Sequence, residues 1–574
     1  MLFSSASCRR VVAAVLAVAA TSSAASCATL PSNTEPHVLR SFEPESAAAP
    51  VIAPKAGSDP DLLLRDFFAA SAVPTSNYEA ARSFLTSQAG EAWQPTETTL
   101  VVDRLSINTV AGGGEGRRSF SVQGNVIGEI QSGGVFVPNR ALYDATMELE
   151  QVDGEWRISS LPSGIVIERT EMRNKFQPHN LYFFDSTGTA LVADRRWIYA
   201  ERDSLTSELM SMLIDGPSER LRPATRVELP ADAAYVGFEG GSYNFTGFGS
   251  VSEETRMRFA AQVVWALSRA GTSGPVKITT DGDPLIAGID SFSTDDFADV
   301  SPLSDAVGEK ATYSLSNGSL YRLGGGEAQP VDGPLGRRGD IVSADVSNSG
   351  NFAVIYGKEG EQRFEVGTLG GASQEVLRGQ NFTRPTFEAD RNAAWVVVDG
   401  KRVVRAVRSA ATGEVVSTEV NVELPEGVEG GISVLRLSRV GSRAVLVIDG
   451  RLYTGIVATD GAGVRSVVNV MEYAPDLGGS VIAADWNPDG SLLVGTSSAG
   501  SPIVRVELDG SSTTTLPSGN LTAPVVAVAA SPEMYFATDA NGTLQLPVSG
   551  SPDNSNWREV PGLQGVRSLP IVTR

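Results

Sequence analysis

The sequence predicts a multidomain protein in which two α+β modules precede an all-β propeller of about six blades. The chain has 574 residues, of which 41% are hydrophobic, and this is enough apolar material for several cores. Before residue 288, apolar residues recur at helical spacing in several segments. From about residue 312 the pattern changes to short β-branched runs separated by Gly, Asp and Asn turns. This change predicts a boundary between mixed modules and an all-β domain.

The first 26 residues have the order of a secretory signal peptide. Two arginines precede the apolar stretch 11–20, which is too short to span a bilayer, and small residues follow. These small residues end at Cys27 like a lipobox, so we predict cleavage before Cys27 and thioether lipidation of its thiol. Cys8 leaves with the signal, and a lone thiol in an exported protein needs a role. The alternative is a soluble exported protein cut near Ala25 with an unused thiol.

Residues 27–57 predict an extended tether, because they are rich in Pro, Ser and Ala and contain few large apolar residues. With a lipid on Cys27, the tether would hold the folded body at the outer, extracytoplasmic face of the cell membrane. Removal of residues 1–26, which contain two Arg and no acidic residue, changes the net charge from −21 to −23. Such an acidic surface disfavours nucleic acid as a partner, and the membrane contact is predicted through the lipid.

Residues 58–172 predict a small α+β domain with two helices before a sheet. Apolar spacing predicts the helices over 59–71 and 77–93. Strand-like segments follow at 98–107, 117–130, 141–152 and 155–161. Two helices followed by a curved antiparallel sheet resemble the cone-like domain of the nuclear-transport-factor-2 type. Many cones of this type are binding pockets or inert spacers.

Residues 176–288 predict a second α+β module. Two strand-like segments lead into a Leu-rich helix over 205–213, and the chain then turns at Gly216-Pro217. A turn at Leu229-Pro230 and a second helix over 253–269 follow, and the module ends in a strand and an Asp-Gly-Asp turn. As a set, these features resemble the GerMN module of sporulation and germination proteins.

Residues 300–574 predict the propeller through an internal repeat. Four copies begin at Asp345, Phe387, Arg436 and Asp485. Their turn positions are Gly350, Asn392, Gly441 and Gly490. The spacings of 42, 49 and 49 residues equal the length of four strands and their turns. A shorter copy runs over 528–537 and another blade begins at 312–323, so we expect about six blades, the last completed by strands from both ends.

The order of lipidated cysteine, cone-like domain, GerMN-like module and propeller resembles the LpqB family of actinobacterial lipoproteins. The resemblance covers essentially the whole chain, and the order is more specific than any single motif within it. It implies a cell-envelope accessory protein of the MtrA and MtrB two-component system. Such a protein contacts the extracellular part of the MtrB sensor histidine kinase and modulates signalling in wall homeostasis and cell division. The kinase is therefore the partner that the resemblance implies.

The sequence predicts no enzyme active site, no cofactor and no metal centre. Its two histidines, His37 and His179, lie in the predicted tether and in a linker, away from any Ser-His-Asp arrangement. No cysteine follows Cys27, which excludes thiolate nucleophiles and zinc-thiolate sites from the folded part. No nucleophile elbow, Walker loop or dinucleotide-binding glycine pattern stands between a strand and a helix. Most classes of hydrolase, oxidoreductase and nucleotide enzyme are therefore disfavoured.

One segment, 485–490, matches the first half of a calcium-binding loop. Its twelfth position is Thr496 instead of the bidentate Glu, so we interpret the segment as a propeller turn. Two acidic pairs could in principle serve as calcium ligands or glycosidase carboxylates, namely Asp281 with Asp283 and Asp295 with Asp296. Both pairs stand in turn or linker sequence, so we interpret them as solvated loop residues.

Two further function classes stay open from the sequence. One is a peptidoglycan or wall-glycan binder without a signalling role, in which Trp395, Trp486 and Trp557 would be candidate sugar platforms. Because the first two stand at repeat positions, we interpret these tryptophans as core packing. The other class is a propeller enzyme, a lactonase or lyase, acting through a central channel lined by carboxylates. The scarcity of His and the incomplete metal motif make this the weakest of the three.

Overall fold

The computed structural model describes residues 52–95, 99–111, 114–200, 204–303, 310–358, 360–389, 392–548 and 556–573. The predicted signal peptide, Cys27, His37 and most of the predicted tether lie outside these residues. Three folded regions follow one another along the chain, and we call them the N-terminal domain, the middle domain and the propeller. None of the helices in the described ranges is long and apolar enough to cross a membrane.

The N-terminal domain packs short helices against one five-stranded sheet. The helices are α1 (Pro60–Ser71), α2 (Glu79–Arg82) and α3 (Ser87–Ala92). The strands are β1 (Thr99–Val110), β2 (Arg117–Gln131), β3 (Val135–Val152), β4 (Glu155–Ser160) and β5 (Ile165–Glu168), in the order β4-β3-β2-β1-β5. Helix α1 buries Leu63, Phe67 and Phe68 of its apolar pattern in the core, together with Leu64, whereas Leu62 is exposed. The single helix predicted over 77–93 is wrong, because Thr86 caps a new helix by accepting from Ala89 N.

Strands β2 and β3 bend around the core of this domain at Gly128. The pairing of β2 with β3 shifts by one residue between Val126 and Gly128, which is a β-bulge. A Cβ atom at Gly128 would lie 2.3 Å from the Phe136 ring and 2.7 Å from the Val137 carbonyl oxygen, so only glycine fits. The bulge therefore supplies the curvature that the sequence predicts for this sheet.

Helix α4 (Arg169–Lys175) leads into the middle domain, which combines a hairpin, a four-stranded sheet and two helices. The hairpin is β6 (Phe176–Phe184) and β7 (Leu191–Tyr199), and the helices are α5 (Leu205–Asp215) and α6 (Glu253–Arg269). The sheet has β8 (Ala234–Glu239), β9 (Ser242–Thr246), β10 (Lys277–Thr280) and β11 (Asp283–Pro284), in the order β11-β10-β9-β8. Ser252 caps α6 by accepting from Thr255 N, and the buried residues Phe259 and Val263 pack in the shared core.

The propeller consists, in the described ranges, of six blades of four strands each, which we number in chain order; the outer strands of blades 3 and 4 pair in parallel and join these two blades into one eight-stranded sheet. Blade 1 begins with β12 (Thr312–Ser316), β13 (Ser319–Gly324) and β14 (Glu327–Pro330). Blade 2 has β15 (Ile341–Val346), β16 (Asn351–Lys358), β17 (Glu361–Thr368) and β18 (Ser373–Gly379). Blade 3 has β19 (Thr386–Phe387), β20 (Ala393–Val398), β21 (Arg402–Arg408) and β22 (Val415–Val422).

Blade 4 has β23 (Ile432–Leu437), β24 (Arg443–Ile448), β25 (Arg451–Thr459) and β26 (Arg465–Tyr473). Blade 5 has β27 (Val481–Trp486), β28 (Leu492–Thr496), β29 (Ile503–Val506) and β30 (Thr513–Thr515). Blade 6 has β31 (Ala527–Ala530), β32 (Met534–Thr538), β33 (Thr543–Pro547) and β34 (Arg558–Glu559). The repeat glycines Gly350, Gly441 and Gly490 stand in the turns after the inner strands with φ of 78°, 77° and 85°.

Strand β35 (Leu569–Val572) closes the ring. It pairs antiparallel with β12, with Leu569 opposite Leu315 and Val572 opposite Thr312, and becomes the innermost strand of blade 1. The inner strands β35, β15, β19, β23, β27 and β31 follow one another around the axis, each in contact with the next. The expectations of about six blades and of one blade completed from both ends are therefore confirmed.

Candidate functional site at the junction of the three domains

Strand β7 of the middle domain contacts both other domains. Toward the propeller, Arg195 Nη1 lies 2.6 Å from Glu507 Oε2. Toward the N-terminal domain, Arg196 Nη1 donates a hydrogen bond to the Gly133 carbonyl oxygen at 3.0 Å. Because successive side chains of a strand point to opposite faces, these two adjacent arginines bind different domains.

Trp197, the next residue of β7 in the middle domain, contacts both the N-terminal domain and the propeller. Its side chain is buried in the apolar core of the N-terminal domain. Its Nε1 donates to Asp509 Oδ2 of blade 5 at 2.8 Å, and the other oxygen of Asp509 accepts from Ser511 N and Oγ. A Cβ atom at Gly134 would lie 2.5 Å from the Trp197 carbonyl oxygen, so the N-terminal domain approaches β7 closely. The junction is therefore a packed interface between the domains.

A buried ion pair fixes the same strand within the middle domain. Arg196 Nη2 lies 2.7 Å from Asp194 Oδ2, and these side chains are 5% and 6% exposed. Asp194 also accepts from Ser218 N at 2.7 Å and from Ser218 Oγ at 3.0 Å, while Arg196 donates to the Gly216 carbonyl oxygen at 3.1 Å. These hydrogen bonds satisfy both carboxylate oxygens and both terminal nitrogens of the pair, while the Nε of Arg196 is buried without a partner among the described residues, so the network favours one position of β7.

Arg220 anchors the middle domain to blade 4 at a second point. Its Nη2 donates to the carbonyl oxygen and Oγ1 of Thr454 at 3.0 and 2.8 Å, and its Nη1 donates to the Tyr473 hydroxyl at 2.7 Å. The guanidinium carbon also lies 5.3 Å from the centre of the Tyr473 ring, a cation–π distance. Asn469 Nδ2 donates back to the Arg220 carbonyl oxygen at 2.9 Å. Separate contacts on blades 4 and 5 therefore resist rotation of the two domains.

A cavity of about 450 Å³ lies between the middle domain and the propeller. Arg195, Arg269 and Arg443 line it together with Tyr182. Burial lowers the pKa of Arg443 to about 10, and no carboxylate of the described residues lies within 4 Å of its guanidinium. Its Nη2 donates a hydrogen bond to the Ala193 carbonyl oxygen at 2.6 Å. The junction therefore encloses positive charge, although the protein as a whole is acidic.

The axis of the propeller is filled by an ion cluster around Arg436. Arg436 lies on β23 and is 2% exposed. Its Nη1 lies 3.2 Å from Asp345 Oδ2, and its Nε lies 3.4 Å from Asp485 Oδ1. Nη1 also donates to the Pro385 carbonyl oxygen. Since Asp345 belongs to blade 2, which is not adjacent to blade 4, the guanidinium reaches across the axis. Burial alone would lower the pKa of Arg436, but the charges of Asp345 and Asp485 outweigh it and raise this pKa.

The calcium-like segment 485–490 is a turn whose carboxylates point to different partners. Asp485 binds Arg436, whereas Asp489 accepts from Arg505 Nη2 at 2.6 Å and from Ser491 N at 2.9 Å. Burial alone would raise the pKa of Asp489, but these bonds lower it. In the part of the chain that the structure describes, no group of three or more His, Cys, Asp or Glu side chains is placed to hold a metal ion.

The other sequence candidates have local partners. Asp281 accepts from the backbone nitrogens of Gly247 and Phe248, and Asp296 caps the turn at Ser293 by accepting from its N and Oγ. Asp283 and Asp295 are exposed. His179 pairs with Arg196 across the β6–β7 hairpin, and burial lowers its pKa. The structure brings none of these described residues together as a catalytic set.

The three candidate tryptophans are buried, as predicted for core packing. Trp395, Trp486 and Trp557 are at most 2% exposed. Their Nε1 groups donate respectively to Glu388 Oε1 at 2.6 Å, the Arg436 carbonyl oxygen at 2.9 Å and the Pro517 carbonyl oxygen at 2.6 Å. A buried indole whose N–H is already paired offers no platform for a sugar.

Sequence reasoning missed the Arg436 cluster and the β7 junction. A signal for the cluster was present, because Asp345, Arg436 and Asp485 each stand five residues before the turn glycine of their repeat copy. Equivalent positions of a propeller meet at the axis, so opposite charges at this position indicate a central ion pair. The junction had a weaker signal, the run Arg195-Arg196-Trp197 inside a strand-like segment.

Family models match three successive parts of the chain. The lipoprotein LpqB N-terminal domain matches residues 53–173, and the model described as sporulation and spore germination matches residues 180–286. The lipoprotein LpqB β-propeller domain matches residues 318–573. The order of the three matches agrees with the three folded regions.

Curated relatives match nearly the whole chain. Lipoprotein LpqB of Corynebacterium diphtheriae is 39% identical over 98% of this chain and 99% of the relative. Lipoprotein LpqB of Rhodococcus opacus is 33% identical over 98% of both chains. Among solved structures, a putative 6-phosphogluconolactonase from Bacteroides uniformis is 10% identical, covers 45% of this chain and 98% of its own, and has a TM-score of 0.31. A likeness at that level supports no argument about function.

Proposed function

The chain belongs to the LpqB lipoprotein family, and on this premise we propose that it is a lipid-anchored accessory protein of a membrane sensor kinase. In this proposal Cys27 carries the lipid and holds the folded domains at the outer face of the cell membrane. The domains bind the extracellular part of an MtrB-like two-component sensor histidine kinase. Binding modulates signalling in wall homeostasis and cell division.

The filled axis of the propeller is the observation that favours binding over catalysis. A propeller lactonase or lyase would need free carboxylates in the channel. The carboxylates of Asp345 and Asp485 are instead paired with Arg436, which is 2% exposed. Opening this channel would leave buried charges without partners, at a cost of several kcal/mol. The surfaces of the molecule are therefore the better candidates for its function.

The edge of the middle domain supplies a surface of suitable character. Strand β8 is at the end of its sheet, and its side chains Val236 and Phe238 are 63% and 54% exposed. A register shift between Tyr235 and Gly237 places a bulge at Val236, and a bulge at a sheet edge opposes pairing with another strand. A partner would therefore contact the apolar side chains of β8 instead of adding a strand.

The lipid anchor on Cys27 would raise the effective concentration of such a surface near a membrane kinase. A protein held on the membrane by Cys27 is confined to the same thin layer as the extracellular part of a membrane kinase. The resulting high effective concentration lets a weak interface be occupied. Loss of the anchor should therefore impair the function more than a single surface substitution does.

The test is site-specific photo-cross-linking in living cells. A photoreactive residue in place of Val236 is expected to capture the sensor kinase from the anchored protein. The same residue in place of Leu142, which is 66% exposed on the N-terminal domain, is the matched control and should not. The variant Cys27→Ala, re-exported on a signal without a lipobox, should lose fatty-acid labelling, most of the cross-link and part of the kinase output.

Two results would replace this proposal. Capture of wall polymer alone, with kinase output unchanged by deletion of the protein, would favour the glycan-binding alternative. Unchanged fatty-acid labelling of Cys27→Ala would show that the anchor is elsewhere.

A further inference from the structure

A second cavity, of about 430 Å³, lies inside the middle domain and apart from the junction. Its walls are the end of α5, the segment 226–231 and one face of α6. On α6 the lining residues are Thr255, Arg258, Phe259 and Gln262. Their spacing of three or four residues places them on a single helix face. The volume is within the range of pockets that hold small organic ligands.

The inner part of this cavity is apolar except for one amide. Phe183, Leu213 and Phe259 line it and are at most 3% exposed. Gln262 also lines it and is 8% exposed, yet its side chain makes no hydrogen bond to any described residue. The nitrogen and oxygen of this amide are open to the cavity, where they can pair with a ligand that supplies both an acceptor and a donor.

The mouth of the cavity carries positive charge. Arg222 is exposed and forms no ion pair with a described residue, and the side chain of Arg226 is 46% exposed. Glu228 lies 2.7 Å from Arg226 and 2.6 Å from Arg258, so its charge is already balanced. Burial alone would raise the pKa of Glu228, but Arg258 and Arg226 lower it. The carboxylate therefore stays ionised and positions both arginines, while Arg222 is available to an anion.

The turns that carry the GerMN resemblance form the walls of this cavity. Gly216-Pro217 and Leu229-Pro230 both line it. Proline fixes its own φ, so these segments lose little freedom when a ligand binds. The sequence features that define the module in the chain thus converge on one preformed pocket.

We propose that this cavity binds a small molecule that contains an amide group and a free carboxylate, such as an N-acylated amino acid or the C-terminal end of a short peptide. The amide group of the ligand pairs with the side chain of Gln262, its apolar part contacts Phe259, and its carboxylate pairs with Arg222 at the mouth. The chemistry occurs both in free peptides and in the peptide stems of wall polymer. The site is separate from the exposed side chains of β8, and it does not depend on a kinase partner.

Titration calorimetry on the full-length protein in detergent tests the proposal with N-acetyl-alanyl-alanine as the probe. The probe is expected to bind, and the same dipeptide with an amidated C-terminus is expected to bind at least about tenfold more weakly. Arg222→Gln should remove this difference, because it deletes the carboxylate partner. Gln262→Leu should abolish binding of both probes, because leucine fills the position without an amide.

Matched controls are Arg322→Gln on the propeller and Gln177→Leu on β6, both at exposed positions, and neither should change binding. Should Gln262→Leu not fold, Arg222→Gln decides alone, since Arg222 is exposed. Equal binding of the free and amidated dipeptides, unchanged binding by Arg222→Gln, or no binding at millimolar probe would each overturn the proposal.

A second arm distinguishes the two sources of the ligand. The protein is incubated with insoluble peptidoglycan, with and without the dipeptide as competitor. Depletion that the free dipeptide reverses assigns the ligand to the wall. Binding of the dipeptide without depletion by peptidoglycan assigns it to free peptides.

Discussion

Arg436 of the propeller and Arg258 of the middle domain each bind two carboxylates, but their surroundings differ. Arg436 is 2% exposed, and Asp345 and Asp485 beside it are 1% and 7% exposed. Arg258 is 13% exposed, and one of its partners, Glu254, is 81% exposed. The hydrogen bonds that Arg258 donates to Glu228 are the main cause of its raised pKa. Burial would lower the pKa of Arg436, but the charges of Asp345 and Asp485, with smaller contributions from its hydrogen bonds to them, raise this pKa.

The difference in solvent exposure distinguishes an ion cluster that stabilises the propeller from one that a ligand in solvent can contact. At the axis, the inner strands of the propeller enclose the charges on all sides, so the ion pairs serve the ring. In the middle domain the ion pairs stand at the mouth of a cavity, where they hold arginines in place without hiding them. Strong pairing of an arginine is therefore uninformative about function until its access to solvent is known.

The largest effect is expected for Arg436→Met. The substitution removes the cation that lies between two buried carboxylates and leaves Asp345 with only the more distant Arg384, at 3.6 Å, so we expect the free energy of unfolding to fall by about 3–5 kcal/mol. Guanidinium unfolding followed by tryptophan fluorescence measures it. Adding Asp345→Asn and Asp485→Asn to the variant should restore much of the loss.

Arg402→Met is the matched control for this measurement. It breaks an ion pair with Glu419 whose side chains are 51% and 68% exposed, and should cost no more than about 0.5 kcal/mol. Equal losses for Arg436→Met and Arg402→Met would show that enclosure at the axis does not matter.

A smaller effect is expected for Trp197→Phe at the junction between these two regions. The variant keeps most of the ring packing but removes the N–H that Asp509 accepts, at a cost of about 1–3 kcal/mol. Limited proteolysis should then cleave between the middle domain and the propeller sooner than in the unmodified protein. Trp156→Phe, in the N-terminal domain, should leave the cleavage rate unchanged. An identical cleavage pattern for Trp197→Phe would mean that other contacts hold the junction.

The smallest effect, and a dependence on pH, are expected for Glu228→Gln. The pKa of Glu228 is lower in the folded state, so its contribution to stability is present above the unfolded pKa of about 4.3 and is lost as the pH falls through the folded pKa. Because the pair is partly exposed, the unmodified protein should exceed the variant by about 1 kcal/mol or less at pH 7. Thermal unfolding at pH 7 and at pH 3 measures the difference, which should be smaller at pH 3 than at pH 7.

The exposed residue Glu239 provides the control for that comparison, and Glu239→Gln should be neutral at both pH values. A difference between Glu228→Gln and the unmodified protein that is as large at pH 3 as at pH 7 would show that the ion pair is not its source.

The sequence predicted the propeller well because its signal is repeated and local. Each copy carries its own turn position, and glycines at Gly350, Gly441 and Gly490 report a backbone conformation that few other residues adopt. The helix over 77–93 failed because the side chain of Thr86 begins a new helix within a continuous apolar pattern. The spacing of apolar residues does not predict such an N-cap.

The candidate sites were harder to predict, because they depend on residues distant in sequence. Arg436 and Asp345 belong to blades that are not adjacent, and Trp197 meets a carboxylate more than 300 positions later in the chain. Gln262 is the one polar residue in the stretch 259–267 of α6, and the sequence alone does not show that its amide is left unpaired. The packing of α6 against the two proline turns forms the cavity and places that amide in its wall.

The closing strand β35 makes completion of the ring a late event in biosynthesis. Strand β12 is synthesised before the other blades, but its inner neighbour β35 is synthesised after them. Until then β12 exposes an unpaired edge, and the position of the fully buried Ile571 is empty. A chain that ended before β35 would keep both defects. Completion of the ring therefore requires translation through β35, because only that strand covers the edge of β12.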